Sequence, residues 1–188
     1  GNFSNSGNVG NDGALNINGY YDHNAGAGTF SGSGTFSLCD DPKDLHVGAN
    51  LVSFYAIPGD SSVKNVFSDL GENAEGIYTE DGAATQISEG QWIGSLTYID
   101  PLKGYWIIMN ENDSLSLCEA TLTNPDIIYT LHLGVNLISF PSFGTIGISE
   151  SIPDDIEGSI VGITTEGVAT TQTQPGVWIG SLTDFNGG

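Results

Sequence analysis

Positive charge is almost missing from this sequence. Its 188 residues include no arginine and only three lysines, Lys43, Lys64 and Lys103, against 23 acidic residues, so the formal net charge is −20. A polyanion or an anionic lipid surface would meet long-range repulsion, which argues against nucleic-acid partners and against anionic membranes. The sequence also has no apolar run of the roughly 20 residues that a membrane-spanning helix needs. We therefore expect a solvated acidic surface, no nucleic acid and no membrane insertion.

Charged residues of both signs make up only 14% of the chain, and glycine, asparagine, serine and threonine take their place. These residues disfavour helices and suit strands and turns. We expect a mainly β chain in three parts. A Gly/Asn-rich segment at 1–38 forms a β-solenoid-like or small-sheet region, and two β-rich modules at 39–121 and 122–188 follow, each with at most one short helix. The chain starts at Gly1 without a signal peptide, so we expect a piece of a longer secreted polypeptide.

An internal repeat at a separation of 86 residues is the strongest signal in the sequence. Residues 45–54 read LHVGANLVSF and 131–140 read LHLGVNLISF, while 76–84 read GIYTEDGAA and 162–170 read GITTEGVAT. Residues 92–97 and 178–183 both read WIGSLT. The first copy continues into Lys103-Gly-Tyr-Trp, whose counterpart does not follow in the second copy. We expect the second module to be truncated and the natural polypeptide to continue.

Local patterns predict the elements of each copy. Apolar residues at helical spacing predict a short helix over 61–70, capped by Ser61 or Ser62 and ended by Gly71. The matching stretch at 149–156 contains Pro153, so we expect that helix to be shorter or absent. Strands are predicted at 51–54, 77–79, 91–93, 104–109 and 114–118.

The repeat resembles a known kind of module at Gly48-Ala-Asn-Leu-Val-Ser-Phe, at Trp92-Ile-Gly-Ser-Leu and at Lys103-Gly-Tyr-Trp-Ile. It is similar to the "GWNLISxP…KGYWI" repeats of large secreted surface proteins of bacteria and archaea, which often follow β-helical regions rich in Gly and Asn. The usual tryptophan before asparagine is Ala49 in one copy and Val135 in the other. The resemblance covers about residues 45–188 and implies an accessory or structural role with no catalytic residues to transfer.

Residues for catalysis are sparse. The sequence has no Gly-x-Ser-x-Gly elbow, no HExxH motif and no phosphate-binding loop. His46 and His132 are repeat equivalents next to leucine, and we expect them to face solvent from a strand. Glu80 and Glu166 recur in a turn-like segment, and a catalytic centre duplicated in tandem would be unusual. We therefore expect no enzyme and no catalytic residues.

A calcium site is a better hypothesis than a catalytic site, because carboxylate and amide oxygens in loops are the usual ligands of Ca²⁺. The weak candidates are Asp12, Asp40, Asp41 and Asp113. None has the spacing of an EF-hand or of a Gly/Asp calcium repeat, and turn formation explains the same residues. The expectation is no cofactor, with Ca²⁺ kept as the alternative.

The two cysteines, Cys39 and Cys118, bracket the first copy. A disulfide between them would close a loop of about 80 residues and contribute roughly 4 kcal/mol in the chain-entropy model. Two buried free thiols are the alternative.

Three tryptophans, Trp92, Trp106 and Trp178, are candidates for stacking on sugar rings. Their apolar neighbours favour a role in the core instead.

Together these features predict a structural or adhesive module of an extracellular surface or fibre protein, which contacts further copies or other surface proteins through exposed sheet edges. One alternative is a carbohydrate-binding accessory module of a secreted polysaccharide-active protein. A phage or virion fibre component is another. A third is a fragment of a β-helix enzyme that degrades polysaccharides, whose catalytic residues would lie upstream of Gly1.

Overall fold

The computed structural model describes residues 42–118, 120–124, 126–141 and 144–186. The predicted segment 1–38 lies outside the described residues, as do the calcium candidates Asp12, Asp40 and Asp41. The mainly β fold class is confirmed. In the described part, fourteen short strands form open sheets, and a few helical turns accompany them. We use "first copy" for residues 39–121 and "second copy" for residues 122–188.

The first copy contains nine strands and a short helical stretch. The elements are β1 Lys43–Leu45, β2 Gly48–Val52, β3 Ala56–Pro58, α1 Val63–Val66, a 3₁₀ segment Ser68–Asn73, β4 Ala74–Tyr78, β5 Ala83–Ser88, β6 Gln91–Gly94, β7 Tyr105–Met109, β8 Asp113–Leu115 and β9 Ala120–Leu122. Five of the strands form one antiparallel sheet in the order β2-β7-β4-β5-β6. Two small pairs, β1 with β8 and β3 with β9, accompany this sheet.

The core of the first copy lies between one face of this sheet and α1. Strand β7 alternates, because Tyr105, Ile107 and Met109 are fully buried while the two residues between them are half-buried. A period of two places every second side chain on the same face, which is the pattern the sequence predicts for a strand with one face on the core. From the helical side, Phe67 packs against Phe54 with 6.2 Å between the ring centroids.

The helical stretch of the first copy matches its prediction in part. Ser62 is the N-cap residue, and its side-chain oxygen accepts from the backbone N–H of Asn65 at 3.3 Å. Val63 and Val66 are buried on the inner face of α1. Gly71 breaks the helical dihedrals with φ +51°, but the 3₁₀ segment that contains it runs on to Asn73. A left-handed φ is the conformation in which glycine ends helical runs.

The second copy repeats this plan with a smaller sheet of three strands, in the order β11-β12-β13, and a separate pair of β10 with β14. Its elements are β10 Thr145–Gly147, α2 Ile148–Ser151, α3 Asp154–Glu157, β11 Gly162–Thr164, β12 Ala169–Gln174, β13 Val177–Gly180 and β14 Asp184–Asn186. Ile148, Ile152 and Leu182 form its small core, with Trp178 and Phe185 packed against them.

A missing helix around Pro153 is not observed. Helix α2 has four residues, as many as α1, and α3 follows with four, whereas the 3₁₀ segment that follows α1 has six, so the helical stretch is shorter than in the first copy. Pro153 lies at the N-cap of α3 and so outside both helices, where its missing N–H costs nothing. Asp154 and Asp155 fall in the first turn of α3, where negative charge is favourable.

The repeated Trp-Ile-Gly-Ser-Leu segment requires its glycine. A Cβ atom on Gly94 would lie 2.1 Å from the carbonyl oxygen of Ala83, and one on Gly180 would lie 2.2 Å from that of Ala169. Those same carbonyls accept from the N–H groups of Leu96 and Leu182, at 3.0 and 3.1 Å. The close approach is therefore part of the turn that leads out of β6 and β13.

No helix in the described part of the chain has the length and apolar character needed to cross a bilayer.

Candidate functional site: a reciprocal joint between the two copies

Each copy contains a five-residue loop that begins at a histidine and ends at an asparagine. In the first copy, the backbone N–H of His46 donates to Oδ1 of Asn50, and Nδ2 of Asn50 donates back to the His46 carbonyl, both at 2.8 Å. His132 and Asn136 form the same two bonds, both at 2.9 Å. The asparagine thus ties the loop into a fixed bend that carries the imidazole outward.

Gly48, in the middle of the first loop, has φ +97°, and its counterpart Gly134 has φ +114°. A side chain is strained at such angles, so the bend depends on glycine at this position. The repeated His-x-Gly-x-Asn pattern is therefore a local folding unit with a defined shape.

A glutamate from the opposite copy binds each loop. Glu166 follows β11, and its carboxylate accepts from Nε2 of His46 at 2.5 Å and from the backbone N–H of Leu51 at 2.8 Å. In the reverse direction, Glu80 accepts from Nε2 of His132 and from the N–H of Leu137, the latter at 3.2 Å.

The four side chains form two equivalent pairs, since the His and Glu of each copy bind the Glu and His of the other. This is the pattern of a two-fold interface, in which the same patch serves on both sides. We call the two His–Glu pairs, with their two leucine N–H groups, the reciprocal joint.

Both histidine rings are placed to carry a positive charge. Nδ1 of His46 faces the Val47 carbonyl at 2.8 Å, and Nδ1 of His132 faces the Leu133 carbonyl at 3.0 Å. Nε2 faces a carboxylate in each case, so both ring nitrogens meet acceptors. A neutral imidazole has one N–H and satisfies only one of them, whereas the imidazolium satisfies both.

The pKa values follow this geometry. The backbone carbonyl and then the glutamate raise the pKa of both His46 and His132 above its ordinary value. The bonds from His132 and from the Leu137 N–H lower the pKa of Glu80. Burial opposes ionisation of Glu166, but the bonds it receives outweigh that effect and lower its pKa as well. The joint therefore favours two ion pairs.

Backbone contacts between the copies lie beside the reciprocal joint. Lys103 and Ile138 form an antiparallel bridge. The N–H of Gly104 donates to the Leu137 carbonyl, and the N–H of Ser139 donates to the Leu102 carbonyl, both at 3.1 Å. A Cβ atom on Gly104 would lie 3.0 Å from the Ile138 carbonyl oxygen, so glycine allows this approach. The side chain of Ser139 also donates to the Pro101 carbonyl.

The expectation that His46 and His132 lie in strands is wrong, because neither histidine is a strand residue. Both side chains are exposed, as expected, but each ring is also bonded to a glutamate of the other copy. The sequence does contain a signal for the joint, because histidine and glutamate both recur at the repeat separation. Glu80 and Glu166 lie, as predicted, in turns between strands.

The three tryptophans do not share one surface. Trp92 packs against the first core, with its ring centroid 6.0 Å from that of Phe67. Trp106 is paired with Leu51 and Tyr78, and strand alternation places it on the opposite face of the five-stranded sheet. Trp178 packs on the second core and donates from Nε1 to Glu157 at 3.2 Å. Trp92 and Trp178 thus have core contacts, and whether any of the three binds sugar stays a prediction.

Among the calcium candidates, only Asp113 lies in the described part of the chain. Its two carboxylate oxygens accept from Asn73 Nδ2 at 2.9 Å and from the backbone N–H of Ser114 at 2.8 Å. No cluster of three or more His, Cys, Asp or Glu suited to a metal is found among the described residues. Turn formation accounts for these contacts of Asp113, and calcium binding stays a prediction.

Cys118 is disulfide-bonded. The other cysteine of the chain, Cys39, lies outside the described residues, so its predicted pairing with Cys118 remains a prediction.

Comparison with protein-family models, with curated proteins and with solved structures gave no match for this chain.

Proposed function

We propose that this chain is a structural or adhesive module of an extracellular surface or fibre protein, in which tandem copies are held in a fixed relative orientation. The observation that carries the proposal is the reciprocal joint. The His and the Glu that connect one copy to the other are both polar residues that recur at the repeat separation. Because the His and the Glu of each copy are both used in this contact, the joint holds two adjacent copies as a pair of defined orientation, which suits a stiff structural module.

The joint serves orientation more than stability. The side chains of His46 and His132 are 57% and 56% exposed, and ion pairs that are exposed to solvent contribute little to stability. Each glutamate, however, binds a ring and a backbone N–H at once, and the two pairs act at separate points. Two contacts of this kind, with the backbone bridge at Ile138, define an angle between the copies.

An extracellular setting is supported by two features. Cys118 is in a disulfide, and disulfides persist mainly in oxidising compartments. The net charge of −20 keeps such a chain solvated.

An exposed sheet edge supports self-association. Among the described residues, β6 pairs with β5 alone and so forms an edge of the five-stranded sheet. Its Ile93 is exposed. Exposed edge strands are ready templates for pairing with another chain.

Small-angle X-ray scattering tests the orientation. The chain should fit one arrangement of the two copies, and the double variant Glu80→Ala, Glu166→Ala should show a larger radius of gyration and a broader distance distribution. Asp81→Ala is the matched control, because Asp81 neighbours Glu80 but binds Lys103 at 2.7 Å within the first copy. Identical scattering from the double variant and the control would contradict an orienting joint.

Light scattering over a concentration series tests self-association. We expect the mass to rise with concentration and Ile93→Lys to reduce that rise. A monomer at every concentration would remove the self-associating part of the proposal while leaving the joint intact.

Carbohydrate binding is the second candidate, and one observation favours it. Trp106 and Tyr78 are cross-strand neighbours on the sheet face opposite the core, and Tyr78 is exposed. Two adjacent aromatic rings offer a stacking surface for a sugar. Titration with a panel of polysaccharides should show binding that Trp106→Ala abolishes and Trp178→Ala leaves unchanged. Absence of binding across the panel would count against this candidate.

A further inference from the structure

Strands β6 and β13 are repeat equivalents, and each lies at an edge of its sheet. Among the described residues, β6 pairs only with β5, and β13 pairs only with β12. Both strands have four residues, Gln91–Gly94 and Val177–Gly180, and both contain the repeated Trp-Ile-Gly sequence. Since β6 is an edge of the five-stranded sheet just as β13 is an edge of the three-stranded one, the open edge is a property of the repeat.

The open part of the edge has the same limits in both copies. A glycine with positive φ forms the turn before each strand. Soon after each strand the chain pairs with another segment, because the N–H of Val63 donates to the Thr97 carbonyl at 3.0 Å and the N–H of Ile148 donates to the Thr183 carbonyl at 3.1 Å. A strand that pairs with either edge therefore meets the same four positions of the repeat.

Both edges are uncharged and carry an exposed isoleucine at the same position. Ile93 is 58% exposed and Ile179 is 64% exposed, and their cross-strand partners are the equivalent residues Thr85 and Thr171. The tryptophan before each isoleucine packs on the core, so the isoleucines lie on the opposite face of the sheet. Neither strand contains a charged residue or a proline, with which proteins protect sheet edges from pairing.

The reciprocal joint makes these edges an equivalent pair. Its symmetric contacts relate the two copies as in a two-fold interface, which exchanges β6 and β13. In the first copy, Glu166 of the other copy binds the N–H of Leu51 in β2, and β6 is the opposite edge of that sheet. The contact between the copies thus leaves β6 on the far side of the sheet, and one chain has two like edges.

We infer that further copies of this chain bind these edges, so that β6 or β13 of one chain pairs antiparallel with β6 or β13 of the next. An isoleucine of each edge then lies opposite its equivalent across the contact, as an apolar cross-strand pair. Chains with a net charge of −20 repel each other, and contact through uncharged strands keeps that repulsion small. Since two edges allow two neighbours, the chains join in open rows. The contact rests on the self-association in the proposed function and specifies where it occurs.

Sedimentation velocity of the whole chain over a concentration series tests the contact, in about 0.15 M salt, where charges are screened beyond about 8 Å. The unmodified chain should form dimers and then larger species. Ile93→Lys or Ile179→Lys should stop association at dimers, because one edge remains, and the double variant should stay monomeric. Lysine lowers the net negative charge, so added repulsion between chains does not explain such a loss. Ile128→Lys, at a residue that is 85% exposed and outside the strands, should associate like the unmodified chain.

Amide exchange locates the contact on the chain. Exchange in 91–94 and 177–180 should slow as the concentration rises. Species larger than dimers from either single variant, association of the double variant, or protection only elsewhere would overturn the edge contact while leaving self-association in place. A chain that stays monomeric at every concentration would remove both. The orienting joint is tested separately, by scattering from single chains, and either result for the edges leaves it standing.

Discussion

Replacement of Asn50 by alanine tests the loop on which the joint depends. The Asn50 side chain is 4% exposed and bonds to the N–H of His46 and to three carbonyls, those of His46, Gly48 and Ile107. Asn136 makes the counterparts of the first three bonds, and it is more exposed. The two asparagines therefore form a matched pair that differs in burial.

The expected cost of Asn50→Ala is about 2–4 kcal/mol of unfolding free energy. Each lost hydrogen bond contributes about 1 kcal/mol net, and each buried group left unsatisfied costs about 1–3 kcal/mol. The bond to Ile107 is long, at 3.4 Å, and adds little. At Asn136 water replaces the lost partners, so Asn136→Ala should cost roughly 1 kcal/mol or less.

Urea unfolding followed by circular dichroism measures both changes, and amide exchange resolves which copy has lost stability. Asn50→Ala should lower the transition midpoint of the first copy with an unchanged slope. Its histidine loop should also exchange faster. Equal costs for the two variants, or a cost below about 0.5 kcal/mol for Asn50→Ala, would refute the assignment of this loop as a buried structural unit.

Three further predictions concern other parts of the fold. The raised pKa of His46 and of His132 gives stability that is complete below the ordinary value of 6.5 and lost as pH rises through the folded-state value. The partner carboxylates have lowered pKa values, so their part is present above the ordinary value of 4.5 and lost as pH falls through the folded-state value. The melting difference between the chain and its double His→Gln variant should therefore be largest from about pH 4.5 to 6.5 and should shrink as the pH rises above 6.5, and a difference independent of pH would contradict the ion pairs. Gly94→Ala should destabilise by roughly 1–3 kcal/mol in urea unfolding because its Cβ meets a carbonyl, whereas Gly59→Ala, with open space, should be near neutral. Phe67→Ala should cost about 3–5 kcal/mol by the same assay, and a cost below about 1 kcal/mol would contradict the tight packing at this residue.

Much of the fold is predictable from sequence, because its signals are local. Apolar residues at helical spacing predict α1, and the alternation of side chains along a strand predicts β7. Both patterns indicate which face of an element is buried. The strand predicted at 51–54 begins earlier, at Gly48, since Ala49 and Asn50 pair with β7. A glycine with positive φ suggests a turn, and here it lies at the first residue of the strand.

The contact between the copies is not predictable from local sequence patterns, for a physical reason. His46 and Glu166 are 120 residues apart, so their contact depends on how the copies pack and not on any periodicity within one element. An exposed polar residue can lie in many environments. From the sequence alone, a solvent-facing position therefore accounts for these residues as well as a contact with the other copy does. The informative signal is that a donor, histidine, and an acceptor, glutamate, both recur at the repeat separation. A two-fold contact between the copies requires both.

In a two-fold contact each repeated position is used twice, once from each copy. One histidine and one glutamate per copy produce two ion pairs, so the joint needs no residue that is particular to either copy. The backbone bridge between Lys103 and Ile138 differs, because it occurs once among the described residues and involves non-equivalent segments. The side-chain pairs are therefore the symmetric part of the contact, and each copy can form them with one neighbour. The bridge depends on where the segment leading into β7 meets the second copy at Ile138, and it therefore adds an asymmetric contact to the two symmetric ion pairs.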